Sequence, residues 1–210
     1  MGRCRRLLVA WIILPFALGG PLSGATAGPA SELIQGLNAK LIEVMKNAKS
    51  LGYAGRYQAL APVLADAYDF PEMTRVTTGR YWRDLTDAQR KQLTDAFQAY
   101  STATAAARFD GYSGESFQVL GEEPAPAGSL RVNNQIVQSS GAPVRIDYLL
   151  RQKDGRFRII DVFLKSSVSE LAVRRAEFSD EFAKSGFDGL LAMLKAKVAN
   201  LEKGGGTPSD

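Results

Sequence analysis

The sequence has no histidine, and its only cysteine is Cys4, close to the N-terminus. The absence of histidine excludes Ser–His and Cys–His catalytic pairs, imidazole bases and the usual zinc and copper sites. A single thiol cannot form a disulfide within the chain. A phosphate-binding glycine loop and the alternating carboxylates of a calcium loop are also missing. We therefore expect no cofactor, no metal site and no enzymatic activity.

Long hydrophobic runs are absent as well, except at the N-terminus. Arg3, Arg5 and Arg6 precede an apolar run over residues 7–18, which is shorter than the about 20 residues that span a bilayer as a helix. Small residues follow at Ala25-Thr26-Ala27, the pattern that signal peptidase accepts. We predict a cleaved signal peptide over 1–27, a single domain over 28–201 and a flexible tail over 202–210, in an exported protein.

A strong excess of one charge is missing from the predicted mature chain. Three of the 26 Lys and Arg residues lie in the signal, so 23 remain against 22 Asp and Glu, a net charge of +1. These charges alternate along helical segments, which is typical of solvated helix faces. We therefore expect no nucleic-acid partner.

Helical periodicity dominates both ends of the predicted domain. Apolar residues recur every three or four positions over 31–51, 86–108 and 187–198. Thr86 and Gln89 have the spacing of a capping box and predict a helix start. Pro62 favours a second helix that begins near Leu60, and a short helix is expected from Met73 to about Gly79.

Alternating apolar and polar residues predict four strands in the middle of the chain. Two short strands over 117–119 and 132–136 flank a loop at 122–129. A hairpin follows, with strands over 144–148 and 157–163 joined by Asp154-Gly155. A covering helix is expected to begin near Ser166-Ser167. The predicted fold is α+β, a small curved antiparallel sheet of about four strands covered by several amphipathic helices.

The predicted helices have more apolar surface than a small flat sheet could cover. This favours a curved sheet with an apolar cavity between the two layers. A filled core is the ordinary alternative, and would suit a structural adaptor. If the cavity exists, its walls and lipid-binding residues are expected to be Met73, Val76, Phe97, Tyr100, Val119, Ile136, Ile146, Tyr148, Ile159, Phe163 and Leu171.

Two strand carboxylates leave a catalytic alternative open. Simple alternation places Asp161 on the same strand face as Ile159 and Phe163, so its carboxylate could enter the cavity. Asp161 or Asp147 would then act as the base of a small cavity enzyme of the nuclear-transport-factor-like type. The simpler interpretation is an ion pair with a neighbouring arginine.

Several segments, in order, resemble the MlaC family of periplasmic lipid-binding proteins, also called toluene-tolerance auxiliary components. They are Phe70-Pro71-Glu72-Met73-Thr74-Arg75, Gly79-Arg80-Tyr81-Trp82, 86–97, Phe109-Asp110-Gly111-Tyr112-Ser113-Gly114 and 144–162. The later segments 161–164, 169–172 and 174–178 look more like the hopanoid-associated branch, HpnM. In this chain Lys165-Ser166-Ser167 stands where the phospholipid-carrying branch usually has a Gly-Val-Ser element.

The resemblance implies a lipid carrier that shuttles between the inner and outer membranes of a Gram-negative envelope. Its cargo would be a hopanoid, or alternatively a glycerophospholipid as in the MlaC branch. The implied inner-membrane partner is an RND-type exporter for hopanoids or an ABC transporter complex for phospholipids, with an outer-membrane lipoprotein as a possible further partner. We expect a periplasmic carrier, most like the hopanoid branch.

Overall fold

A curved antiparallel sheet forms one layer of the fold, and helices cover it. The computed structural model describes residues 28–204, so the predicted signal peptide and most of the predicted tail lie outside the described residues. The helices are α1 (Pro29–Lys46), α2 (Ala48–Ala67), α3 (Phe70–Thr78), a 3₁₀ helix (Gly79–Asp84), α4 (Asp87–Arg108) and α5 (Glu170–Glu202). The strands are β1 (Ser116–Ala125), β2 (Ser129–Val137), β3 (Val144–Lys153), β4 (Arg156–Leu164) and β5 (Val168–Ser169).

The strands follow one another across the sheet in the order β1-β2-β3-β4-β5, each antiparallel to its neighbour. The predicted α+β meander is confirmed, with the two-residue β5 as an addition to the four expected strands. The predicted loop at 122–129 is wrong, because β1 continues to Ala125 and only Pro126–Gly128 form the turn. Pro124 is tolerated because β1 is an edge strand.

A register shift between β3 and β4 changes which residues of β4 face the helices. Leu149 lies opposite Asp161, whereas Leu150 lies opposite Ile159, so Ile160 is an extra residue in β4. Such a bulge reverses the alternation of side chains beyond it. Ile159 therefore shares the helix-covered face with Val162, and Phe163 points to the other face. The expectation that Asp161 and Phe163 share a face with Ile159 is wrong for this reason.

The helix boundaries confirm some predictions and correct others. The Thr86 hydroxyl accepts from the Gln89 amide, and the Gln89 side chain accepts from the Thr86 amide, so the capping box at α4 is confirmed. The predicted start near Leu60 is wrong, since α2 runs from Ala48 to Ala67 through Pro62, with its break at Gly52 (φ +60°). The packing of Leu60 and Leu64 in the core offsets the backbone hydrogen bond that Pro62 cannot make.

The covering helix α5 begins at Glu170, later than the predicted Ser166-Ser167. Lys165 and Ser166 have positive φ angles of 50° and 63°, which form a tight turn between β4 and β5 and cannot belong to a helix. α5 also includes the predicted C-terminal helix, and the two parts meet at Gly186 (φ +66°).

The outer face of the sheet holds a buried charge cluster around Asp147. This carboxylate is fully buried and accepts hydrogen bonds from Arg131 at 2.8 Å, from Arg145 at 2.9 Å and from the backbone of Asn134 at 3.0 Å. Burial alone would raise the pKa of Asp147, but these donors outweigh it and hold the pKa below its usual value. The ion-pair interpretation of Asp147 is therefore confirmed.

Replacing Asp147 by Asn should lower the free energy of unfolding at neutral pH by about 2–3 kcal/mol. This is less than the ~3–5 kcal/mol for a fully buried pair, because both arginines keep some solvent access. Because the folded-state pKa is depressed, the carboxylate stabilises the fold above its unfolded pKa, and this stabilisation disappears as the pH falls through the folded pKa. Urea unfolding of wild type and D147N from neutral pH down to about pH 3 measures both effects. A D147N protein as stable as wild type at neutral pH would contradict this role.

Candidate functional site

A largely apolar cavity of about 180 Å³ lies between the helix-covered face of the sheet and the helices, and it is partly open to solvent. β3 and β4 form its floor, and α1, the last turns of α2, α3, α4 and the first turns of α5 form its walls. Its lining residues are Leu37, Leu41, Leu64, Tyr68, Phe70, Met73, Phe97, Tyr100, Ser101, Thr104, Ala105, Arg108, Phe109, Ile146, Tyr148, Val162, Leu164, Glu170, Leu171 and Arg174.

Aromatic rings hold the walls in place. Phe97 of α4 makes edge contacts with Phe70 of α3 and with Phe178 of α5, at centroid distances of 6.0 and 5.3 Å. Tyr68 stacks on Phe70 at 5.5 Å. Burial raises the pKa of Tyr148 and of Tyr68, so both phenols stay neutral and the wall carries no charge there.

An ionic cluster lies where α5 borders the cavity. The Arg174 guanidinium pairs with Glu170 at 3.3 Å and with Glu177 at 3.0 Å, and it lies 5.4 Å from the centre of the Tyr100 ring. Burial would lower the pKa of Arg174, but Tyr100 and the two carboxylates raise it. Lys197 also pairs with Glu177. The cavity thus combines an apolar interior with an ionic cluster on α5.

One polar atom of the wall has no partner within the described residues. The Tyr100 hydroxyl is buried and makes no hydrogen bond to any residue of 28–204. A buried hydroxyl without a partner costs about 1–3 kcal/mol. A ligand with a polar group could supply the missing hydrogen bond.

The structure brings six of the eleven predicted wall residues to the cavity: Met73, Phe97, Tyr100, Ile146, Tyr148 and Leu171. Whether they bind lipid stays a prediction. The other five lie elsewhere in the fold.

Three of these five lie on the helix-covered side of the sheet but outside the lining of the cavity. Ile159 is fully buried within the hydrophobic core and is not part of the lining. Val119 lies on β1, against which α1 packs. Ile136 lies on β2, opposite Val144 of β3. These positions are displaced along the sheet from the cavity floor.

The remaining two lie on other surfaces. The bulge in β4 turns Phe163 to the outer face, where the Arg131 guanidinium lies 4.5 Å from its ring centre. Val76 lies in a separate pocket between α3, the 3₁₀ helix and α5.

The sequence predictions missed several lining residues that simple spacing could have supplied. Leu37 and Leu41 share the apolar stripe of α1, and Thr104 follows Tyr100 by one helical turn. Val162 and Leu164 gave no such signal, because their orientation depends on the extra residue Ile160.

Asp161 has a structural role at the start of α5. Its carboxylate accepts from the Ser169 hydroxyl at 2.6 Å and from the Leu171 amide at 3.0 Å. Ser169 in turn caps α5 by accepting from the Ala172 amide at 2.9 Å. Neither Asp161 nor Asp147 lines the cavity. The catalytic alternative that used either aspartate as a base in the cavity is therefore wrong.

Comparison with known proteins agrees with this architecture. The sequence matches the family model described as MlaC protein over residues 35–196. The chain belongs to the MlaC protein family. MlaC family proteins are periplasmic, and membership supports a lipid-binding carrier. The match is to the family as a whole, so the resemblance to the HpnM branch stays a prediction.

A solved structure with a similar fold is the phospholipid-binding protein from Ralstonia solanacearum in complex with a phospholipid. The two chains are 18% identical, with a TM-score of 0.73, and the alignment covers 83% of this chain and 99% of the other. The MlaC-type fold is thereby established. In the part of the chain that the structure describes, none of the helices is both long and apolar enough to cross a membrane. Residues 28–204 also contain no group of three or more potential ligand side chains placed to hold a metal ion.

Replacing Asp161 by Ala should destabilise the protein by about 2 kcal/mol, because the Ser169 hydroxyl and the Leu171 amide lose a charged acceptor. Asp180→Ala, which removes an exposed aspartate from the same helix, is the matched control and should leave stability within about 0.5 kcal/mol of wild type. Chemical denaturation compares the three proteins. Equal stability of D161A and wild type would refute the capping role.

Proposed function

We propose that this MlaC-family protein carries a phospholipid through the periplasm, with the lipid tails enclosed between α3, α4, α5 and the sheet. The apolar cavity is the observation that carries this proposal. The related fold from Ralstonia solanacearum, which binds a phospholipid, supports phospholipid as the cargo. The expected hopanoid cargo finds no support in either comparison.

The energetic role of the cavity is to keep lipid tails out of water. Exposing an alkyl chain to water costs about 0.8 kcal/mol per methylene, so a chain of about twelve methylenes faces a barrier of roughly 10 kcal/mol. Transfer from a membrane to an apolar protein interior avoids most of this cost, since both environments are apolar. Cargo exchange can therefore proceed near equilibrium.

The volume of the cavity indicates that its walls move. A cavity of about 180 Å³ is smaller than the ~300–1,000 Å³ typical of pockets that enclose a drug-sized ligand. A diacyl lipid therefore requires the helices and the sheet to separate. The aromatic contacts of Phe97 join α3, α4 and α5, so these helices would move away from the sheet together.

The direct test is native mass spectrometry and lipid extraction of protein purified from its own membrane background. We expect phospholipid masses bound at one lipid per chain. A hopanoid mass would change the cargo within the same carrier function. Protein that retains no lipid, under conditions where a known phospholipid carrier does, would contradict the proposal.

A bulky side chain in the cavity should block lipid binding. Ala105 lines the cavity on α4, so Ala105→Phe should reduce bound lipid about tenfold or more by filling space that a tail needs. Ala88→Phe, at an exposed position of the same helix, adds the same side chain outside the cavity and should retain lipid as wild type does. Quantified lipid per protein measures the effect. Equal retention by both variants would show that the tails lie elsewhere.

The membrane partners implied by the resemblance, an RND-type exporter or an ABC complex and an outer-membrane lipoprotein, stay predictions.

A further inference from the structure

A second pocket, of about 410 Å³, lies between α3, the 3₁₀ helix and α5. Four arginines line it, Arg75, Arg80, Arg83 and Arg175, together with Trp82. We call it the arginine pocket. Met73 and Arg174 line the lipid cavity, whereas their near neighbours on the same helices, Val76 and Arg175, line this pocket. The two sites therefore share α3 and α5 but have no lining residue in common.

The backbone brings arginines from three elements to this place. α3 ends at Thr78, and Gly79, with a positive φ of 62°, turns the chain directly into the 3₁₀ helix that carries Arg80 and Arg83. α5 crosses beside this turn, and its Ser179 hydroxyl donates to the Thr77 carbonyl at 3.4 Å. The Arg90 guanidinium lies 5.4 Å from the ring centre of Trp82. The arginines are therefore held together by elements that are themselves packed.

The positive charge of the arginine pocket is largely uncompensated. No carboxylate from residues 28–204 lines it. Arg75 pairs with Glu72 at 2.7 Å, and Arg80 donates to the Tyr81 hydroxyl at 2.7 Å. The guanidiniums of Arg83 and Arg175 make no ion pair or hydrogen bond with any residue between 28 and 204. In a mature chain predicted to have a net charge of +1, such clustering costs repulsion energy that a bound anion would remove.

We propose that the arginine pocket binds the phosphate group of an anionic phospholipid at a membrane surface. Each guanidinium is a planar fork of donors that matches phosphate oxygens. One carboxylate offers only two oxygens, so several converging guanidiniums favour phosphate over a single acidic side chain. Trp82 at the pocket adds a side chain suited to the membrane interface.

This site is a docking contact and lies outside the cavity that encloses the tails. It would hold the carrier against the bilayer, with the wall formed by α3 and α5 beside the membrane surface. Each arginine near an anionic surface adds attraction that falls off with salt. The inference goes beyond the proposed function and does not depend on which lipid the cavity holds.

The test is binding to vesicles of phosphatidylglycerol and phosphatidylcholine, compared with vesicles of phosphatidylcholine alone, at low and at physiological salt. Wild type should prefer the anionic vesicles. The affinity of the double variant R83Q/R175Q for these anionic vesicles should be lower by a factor of about ten or more. The double variant K40Q/K91Q removes the same charge from exposed helix positions that do not line the pocket and should bind nearly as wild type does.

Four results would overturn the inference. They are equal binding of R83Q/R175Q and wild type, equal loss in K40Q/K91Q, the absence of any preference for anionic vesicles, and binding of inorganic phosphate without binding of vesicles. The last result would indicate a free-anion site, and binding of an acidic polypeptide alone would indicate a protein partner.

If R83Q/R175Q did not fold, the single variant R83Q would give the answer, since Arg83 is exposed and its guanidinium has no partner among the described residues. Lipid retained in the cavity of R83Q/R175Q, measured by mass spectrometry, separates failure of this site from failure of the carrier function.

Discussion

The packing of Phe97 between Phe70 and Phe178 is the contact on which the rest of the structure depends. It joins α4 to α3 and α5 with all three rings nearly or fully buried, and deleting such a ring typically costs about 3–5 kcal/mol. The three helices are thereby fixed to one another above the sheet. The lipid cavity lies between this helical layer and the sheet, where the layers could separate without breaking the aromatic contacts.

The same helices give the protein two chemically different sides. On the inner side, Met73 and Leu171 contribute apolar surface to the cavity, and Arg174 is neutralised by Glu170 and Glu177. At the second pocket, Arg175 belongs to a lining without any carboxylate from the described part of the chain. One helix pair can therefore serve as a wall for lipid tails and as a charged surface toward a membrane. Asp161 supports both uses, because it fixes the start of α5.

Local sequence patterns predicted much of the fold, and long-range register limited the prediction of the site. The capping box at Thr86 and the hairpin turn at Asp154-Gly155 depend only on neighbouring residues, and both elements are present. The extra residue Ile160 cannot be read from alternation alone, so Phe163 was assigned to the wrong face. Val76 has the expected apolar character, but only the crossing of α3 and α5 decides which pocket it lines. The arginine pocket joins segments about 100 residues apart, which no local pattern reveals.

In the proposed carrier, lipid tails lie between the inner face of the sheet and the helices. Isotope-filtered NMR on methyl-labelled protein, loaded with a phospholipid whose acyl chains carry protons, measures this directly. We predict intermolecular nuclear Overhauser effects from the acyl chains to the methyl groups of Ile146 and Leu171, and none to those of Val119. Contacts to Val119 with none to Ile146 and Leu171 would contradict the account.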